Sequence, residues 1–159
     1  MKYFIFFNKK QFKRLTKTEY MRILLISPLY NSYIVAPCLG LGYLASALKK
    51  QGHKVLILDG LREKIEYDPS EWDLVGVTAM STYFPECIYE VKRAKSFGLK
   101  TIIGGPHVIC DPMQSLIDSG ADYAAIGEGE RTLVQLASGI PPAQVDGLAY
   151  WENGKPTQS

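Results

Sequence analysis

The sequence predicts an α/β fold: a doubly wound, five-stranded parallel sheet with helices on both faces. Two observations carry this. Five short, nearly continuous apolar runs alternate with stretches whose apolar residues recur at helical spacing. Strands apolar on both sides need cover on both faces, which a parallel sheet between two helical layers supplies. At 159 residues and 47% apolar, the chain suits one domain core and is too apolar for disorder.

The elements follow in order. Arg22-Ile-Leu-Leu-Ile-Ser-Pro28 is a buried strand that ends at proline. Leu39 to Gln51 is a helix with Leu41, Leu44, Ala45 and Leu48 on one face and Gly52 as its stop. Lys54 to Gly60 and Leu74 to Met80 are the second and third buried strands, separated by a charged segment. Pro85 to Phe97 is a helix with proline near its start and Gly98 at its end. Lys100 to Gly105 is the fourth strand, Met113 to Ser119 a short helix, Asp122 to Gly127 the fifth strand, and Glu130 to Ser138 the last helix. The expected strand order is 2-1-3-4-5, the flavodoxin-like (Rossmann-like) winding. Gly147 to Lys155 alternates around Asn153-Gly154, a two-residue hairpin signal. The division expected is a basic extension over 1–20, an α/β domain over 21–140, and a hairpin or linker over 141–159 that ends at a domain junction.

Charge and cysteines narrow the function classes. Residues 1–20 carry six basic side chains against Glu19, a formal +5, while the remainder has 12 basic and 15 acidic residues, a formal −3. An acidic body offers no footprint for nucleic acid. No run reaches the roughly 18 apolar residues of a spanning helix. Cys38, Cys87 and Cys110 are odd in number and lack CxxC or CxxxCxxC spacing, which argues against a disulfide framework and against an iron–sulfur cluster within this chain. A reducing, cytoplasmic setting is expected.

In an open α/β sheet ligands bind beyond the carboxyl ends of the strands. Those ends read Ser27-Pro28, Asp59-Gly60, Thr78-Ala-Met-Ser-Thr82, Gly104-Gly-Pro-His107 and Gly127-Glu-Gly-Glu130. Small residues there let backbone approach a ligand, and hydroxyls supply hydrogen bonds. No nucleophile–base–orienter set and no metal-ligating set appear, so no catalytic residue is assigned. His53 follows a helix stop and is expected to pack or face solvent. Gly40-Leu-Gly42-Tyr-Leu-Ala45, with Asp59 nineteen residues beyond Gly40, fits a dinucleotide fingerprint on paper. The fingerprint needs its first glycine directly after the strand, whereas eleven residues separate Pro28 from Gly40. An NAD- or FAD-binding domain and a cofactor-free interaction domain from a truncated gene both stay open on these residues, as does the view that these glycines let the helix pack close to the sheet.

Along these strand ends the chain resembles the cobalamin-binding domain that precedes the radical domain of cobalamin-dependent radical S-adenosylmethionine enzymes. The resemblance runs from Met21 to Gly154. It rests on Arg22 to Pro28, Pro37-Cys-Leu-Gly-Leu-Gly-Tyr-Leu-Ala45, Gly104-Gly-Pro-His107, Ala121-Asp-Tyr123, Gly127-Glu-Gly-Glu130-Arg-Thr-Leu133 and Gly147-Leu-Ala-Tyr150 with Asn153-Gly154. The wider family's DxHxxG motif, whose histidine ligates cobalt, is absent; Pro28-Leu-Tyr-Asn-Ser-Tyr33 stands there. Its Ser-x-Leu is matched loosely by Thr78-Ala79-Met80, and its Gly-Gly by Gly104-Gly105. The resemblance implies cobalamin bound base-off, without a protein histidine on cobalt, in a methyltransferase-type radical enzyme. Gly104 and Gly105 would make room for the displaced tail, and Thr78, Ser81 and Thr82 would hydrogen-bond it. Pro28 and Gly127-Glu128-Gly129 would flank the corrin, with Met80, Pro106 and His107 completing the contact set. The implied partner is a radical S-adenosylmethionine domain, in cis or in trans, which would hold the cluster.

Overall fold

The computed structural model describes residues 20–31 and 37–159. Its strands are β1 (Arg22–Ser27), β2 (Lys54–Asp59), β3 (Leu74–Thr78), β4 (Lys100–Gly104), β5 (Tyr123–Ala125), β6 (Leu148–Glu152) and β7 (Lys155–Gln158). They form one sheet in the order β2-β1-β3-β4-β5-β6-β7. The first five pair in parallel, in the winding the sequence predicts. The hairpin turns at Asn153-Gly154, both with positive φ, and adds β6 and β7 antiparallel beside β5. The expected basic extension lies, except for Tyr20, outside the described residues.

The strands divide their side chains between two layers. In β1, Leu24 and Ile26 face one layer while Ile23 and Leu25 face the other, and all four are fully buried. Each contributes about 1.5–3 kcal/mol of transfer free energy. The first layer is covered by α2 (Phe84–Ser96), α3 (Pro106–Cys110) and α4 (Pro112–Ser119), through Cys87, Val91, Val108 and Leu116. The second is covered by α1 (Leu39–Lys50) and α5 (Glu130–Ala137), through Leu41, Ala45, Leu48 and Leu133.

Two elements differ from expectation. β2 is only half-buried: Lys54 and Leu56 are exposed, because an edge strand has a neighbour on one side and α1 covers only the Val55 and Ile57 face. Gly104-Gly-Pro-His107 does not stay a loop; Pro106 takes the first helical position of the short α3, where its missing N–H costs nothing.

The amino ends of the strands are tied by polar side chains. Asp73 accepts from the Arg22 backbone N–H at 2.8 Å and pairs with its guanidinium at 2.6 Å. Asp122 accepts from the Thr101 backbone N–H and hydroxyl, both at 2.9 Å, and from Lys100 at 3.0 Å. His53 is buried and accepts from the Met21 N–H at Nδ1, 3.2 Å away. It therefore packs, as expected, at the end of the sheet opposite the carboxyl ends of the strands.

Candidate functional site

The carboxyl ends of β3, β4 and β5 and the amino-terminal turns of α1 and α5 surround a cleft of about 390 Å³. That volume falls in the range of roughly 300–1,000 Å³ that small-molecule sites occupy. The cleft runs down onto the second face of the sheet. Its inner wall is Leu25, Ile102 and Ala125 from the strands, with Leu41 and Leu44 from α1 and Leu133 from α5. Gly76 and Gly104 supply sheet positions without side chains. Leu25 leans over Gly76, where a Cβ would come within 2.8 Å of its Cδ2. Added Cβ atoms at Gly40 and Gly127, on the same cleft, would meet nothing within 4 Å.

Of the residues singled out from sequence, Thr78, Met80, Gly104, Gly105, Pro106, Gly127, Glu128 and Gly129 line this cleft. Pro28, Ser81, Thr82 and His107 do not. Pro28 is buried directly after β1. Ser81 and Thr82 lie exposed on a single 3-10 turn, Ser81–Tyr83. His107 turns away: its ring stacks on Phe84 at 3.8 Å and its Nδ1 lies 3.1 Å from Ser81 Oγ.

Gly105 is held by backbone geometry. Its φ of 118° and ψ of −177° occupy a region open in practice to glycine alone. A Cβ there would come 2.7 Å from the Ala79 carbonyl oxygen. Ala79 donates to Gly104 O at 2.7 Å and accepts from His107 N at 3.2 Å, so the ends of β3 and β4 are knit through this residue.

Sequence reasoning missed the inner wall and Tyr83. The Tyr83 ring is buried and stacks on Tyr30 at 4.2 Å, with 15° between the planes. Burial, aided by the neighbouring Tyr30, pushes its phenol up to about 12, against a hydrogen bond from Thr78. The Tyr83 phenol, which lines the cleft, therefore stays neutral. One signal was available for the wall: Gly76 interrupts an otherwise apolar strand, which marks close approach.

The fingerprint glycines behave differently from either reading of them. Gly40 and Gly42 lie in the first turn of α1, and neither brings the helix close to the sheet, since a Cβ at either would meet nothing. Asp59 accepts from Leu61 N at 3.2 Å, sits 3.6 Å from Arg62, and does not line the cleft. Asp59 ends β2, the place the fingerprint gives its carboxylate, but it lies outside the cleft. Among the described residues no group of three His, Cys, Asp or Glu could hold a metal ion, and no helix is long and apolar enough to cross a membrane.

The comparisons with known proteins agree with this geometry. A family model described as B12 binding domain matches residues 30–137. An uncharacterized methyltransferase of Synechocystis sp. is 28% identical over 80% of this chain and 26% of its own length. Cytidylyl-2-hydroxyethylphosphonate methyltransferase of Streptomyces wedmorensis is 25% identical over 83% of this chain and 32% of its own. The chain thus spans about a quarter to a third of these curated relatives. Among solved structures, the radical S-adenosylmethionine methyltransferase TsrM from Kitasatospora setae, with cobalamin and a 4Fe–4S cluster bound, superposes with a TM-score of 0.77. It is 23% identical, over 88% of this chain and 29% of that one. The cobalamin-dependent S-adenosylmethionine radical enzyme OxsB, with aqua-cobalamin bound, gives 0.67 at 18% identity, over 89% of this chain and 22% of that one. These structures share the fold, and the family match covers most of the α/β core. The chain belongs to the B12-binding domain family.

Proposed function

We propose that this chain is the cobalamin-binding module of a radical S-adenosylmethionine methyltransferase-type enzyme, and that it takes cobalamin base-off with no histidine on cobalt. One observation carries the reading: an apolar slot, side-chain-free at Gly104, opens at the carboxyl edge of the sheet, and neither His53 nor His107 lines it. Such a slot fits the apolar benzimidazole that ends the tail once it is withdrawn from the metal. Bound cobalamin supplies a cobalt centre that carries a methyl group.

The chain's own residues divide the work of holding it. Gly104 leaves room for the displaced tail, and Leu25, which is laid over Gly76, excludes water from it together with Leu41, Ile102 and Leu133. The hydroxyls of Thr78, at the end of β3, and of the buried Tyr83 offer hydrogen bonds on the cleft lining. The Gly127-Glu128-Gly129 loop and Pro28 flank the corrin; Ser81 and Thr82, exposed beside the cleft, hydrogen-bond the cofactor. A radical S-adenosylmethionine domain, in cis or in trans beyond the 141–159 hairpin, is the partner and supplies the cluster. Cys38, Cys87 and Cys110 are free thiols, which suits a reducing cytoplasm.

The test is direct. The purified chain is incubated with hydroxocobalamin, freed of excess by gel filtration, and its absorption spectrum recorded. A retained corrinoid with a base-off spectrum is the expected result. Protein emerging without corrinoid, or with base-on cobalamin, overturns the reading.

A further inference from the structure

We infer that the slot selects among corrinoids by the polarity of the tail base, accepting benzimidazole and phenol tails and discriminating against purine tails. The inference rests on the cobalamin reading above and deepens it.

The polar and apolar linings of the cleft are separated in space. Cys38, Thr78 and Glu128 belong to a strand end and loops at the carboxyl edge, while Tyr83, on the adjoining turn, is buried. Below them, Leu25, Leu41, Leu44, Ile102, Ala125 and Leu133 all belong to the apolar cluster of the second layer. Gly76 adds no side chain, and its strand is paired on both sides, with β1 and with β4. Its backbone groups are thus committed to the sheet. The wall that these residues form offers a tail base contact area and no side-chain hydrogen bond.

A dimethylbenzimidazole or cresol ring fills such a space without penalty. An adenine ring carries an exocyclic amine and ring nitrogens that must leave water, and here they find no partner. One unpaired buried polar group lowers affinity by tenfold or more. A base held away from cobalt has no need of a ligating nitrogen. A cresol tail, which cannot coordinate the metal, is therefore accepted on the same terms as dimethylbenzimidazole.

The experiment measures binding by equilibrium dialysis of the purified chain against four corrinoids: cobalamin, cresolyl cobamide, adeninyl cobamide and tailless cobinamide. Cobalamin and cresolyl cobamide are expected within about threefold of one another, with adeninyl cobamide at least tenfold weaker. Adeninyl cobamide binding as tightly as cobalamin overturns the inference, as does loss of cresolyl cobamide alone. Failure of the underlying reading looks different: no corrinoid is retained, or cobinamide binds as well as cobalamin, which removes the tail from the slot. A second measurement locates the discrimination. Leu44→Gln places an amide in the slot at a half-buried helical position, and is expected to narrow the gap between cobalamin and adeninyl cobamide at least threefold. A gap that does not move places selection outside the slot and overturns the inference.

Discussion

The imidazole of His107 lies flat against the ring of Phe84, 3.8 Å between centroids and 29° between planes, with Nδ1 beside Ser81 Oγ. Its backbone N–H is committed as well, to the carbonyl of Ala79. These contacts turn it out of the cleft that its neighbours Pro106 and Gly105 line. A histidine held this way is a packing residue of the β4–α3 corner, although the sequence places it in the ligand-binding loop.

His107→Ala is accordingly expected to retain cobalamin with an unchanged base-off spectrum. The measurement is the absorption spectrum of the loaded variant beside the parent. A change in axial ligation would put the imidazole on cobalt.

At the opposite end of the sheet, Asp122 is a structural carboxylate. Burial pushes its pKa up, but hydrogen bonds from Lys100 and from the Thr101 side chain and backbone outweigh this and hold it below the usual carboxylate value. Asp122→Ala leaves the buried Thr101 without its partner, at a cost of about 1–3 kcal/mol. Chemical denaturation should show that loss at neutral pH while cobalamin affinity stays at the parent value. Because the folded pKa is depressed, the contribution is present above the unfolded value of 3.8 and is lost as pH falls below it.

His53 acts in a different pH window. Burial lowers its pKa from 6.5, and Nδ1 must stay unprotonated to accept from Met21 N–H. The unfolded chain takes up the proton first as pH falls, so stability is full above about 6.5 and declines below it. Melting temperatures from pH 8 to pH 5 should fall for the parent and run flatter for His53→Gln. Parallel curves for the two proteins would remove His53 as the cause.

The sheet was legible in the sequence because its strands are long apolar runs with glycine and proline at their ends, and such runs have few other solutions. The strand ends were legible as a site for the same reason: small residues and hydroxyls at Thr78, Gly104 and Gly127 break the apolar pattern. The inner wall was not. Leu25, Ile102 and Leu133 read as core, and nothing local distinguishes a leucine that faces a cleft from one that faces another leucine. Their role follows from the cleft that β3 at Gly76 shares with Leu41 of α1 and Leu133 of α5, a relationship that only the fold creates. His107 failed for the converse reason: its position in the loop was visible, but the direction of its side chain depends on Phe84 and on the unpredicted α3.

Gly104 and Gly105 read as one motif, yet their surroundings differ, and two substitutions distinguish them. At Gly105 any side chain meets the Ala79 carbonyl at 2.7 Å and must adopt a φ of 118°, so the penalty falls on the fold itself. Gly105→Val should lower the melting temperature of the protein without ligand, with backbone strain alone costing about 1–3 kcal/mol. Gly104 has no positive φ, and a Cβ there makes ordinary contacts, 3.5 Å to Ala125 Cβ and 3.8 Å to its carbonyl oxygen. Gly104→Ala should therefore melt close to the parent while placing a methyl group on the cleft surface. Overpacking a filled site costs about 1–3 kcal/mol, so cobalamin affinity should drop by roughly tenfold. Melting of the apo-protein, run beside a cobalamin titration, reads both quantities on each variant. A Gly104→Ala protein that melts normally and binds normally would show that the tail does not run against β4, and would move it toward the α1 wall at Gly40, where the structure is also open.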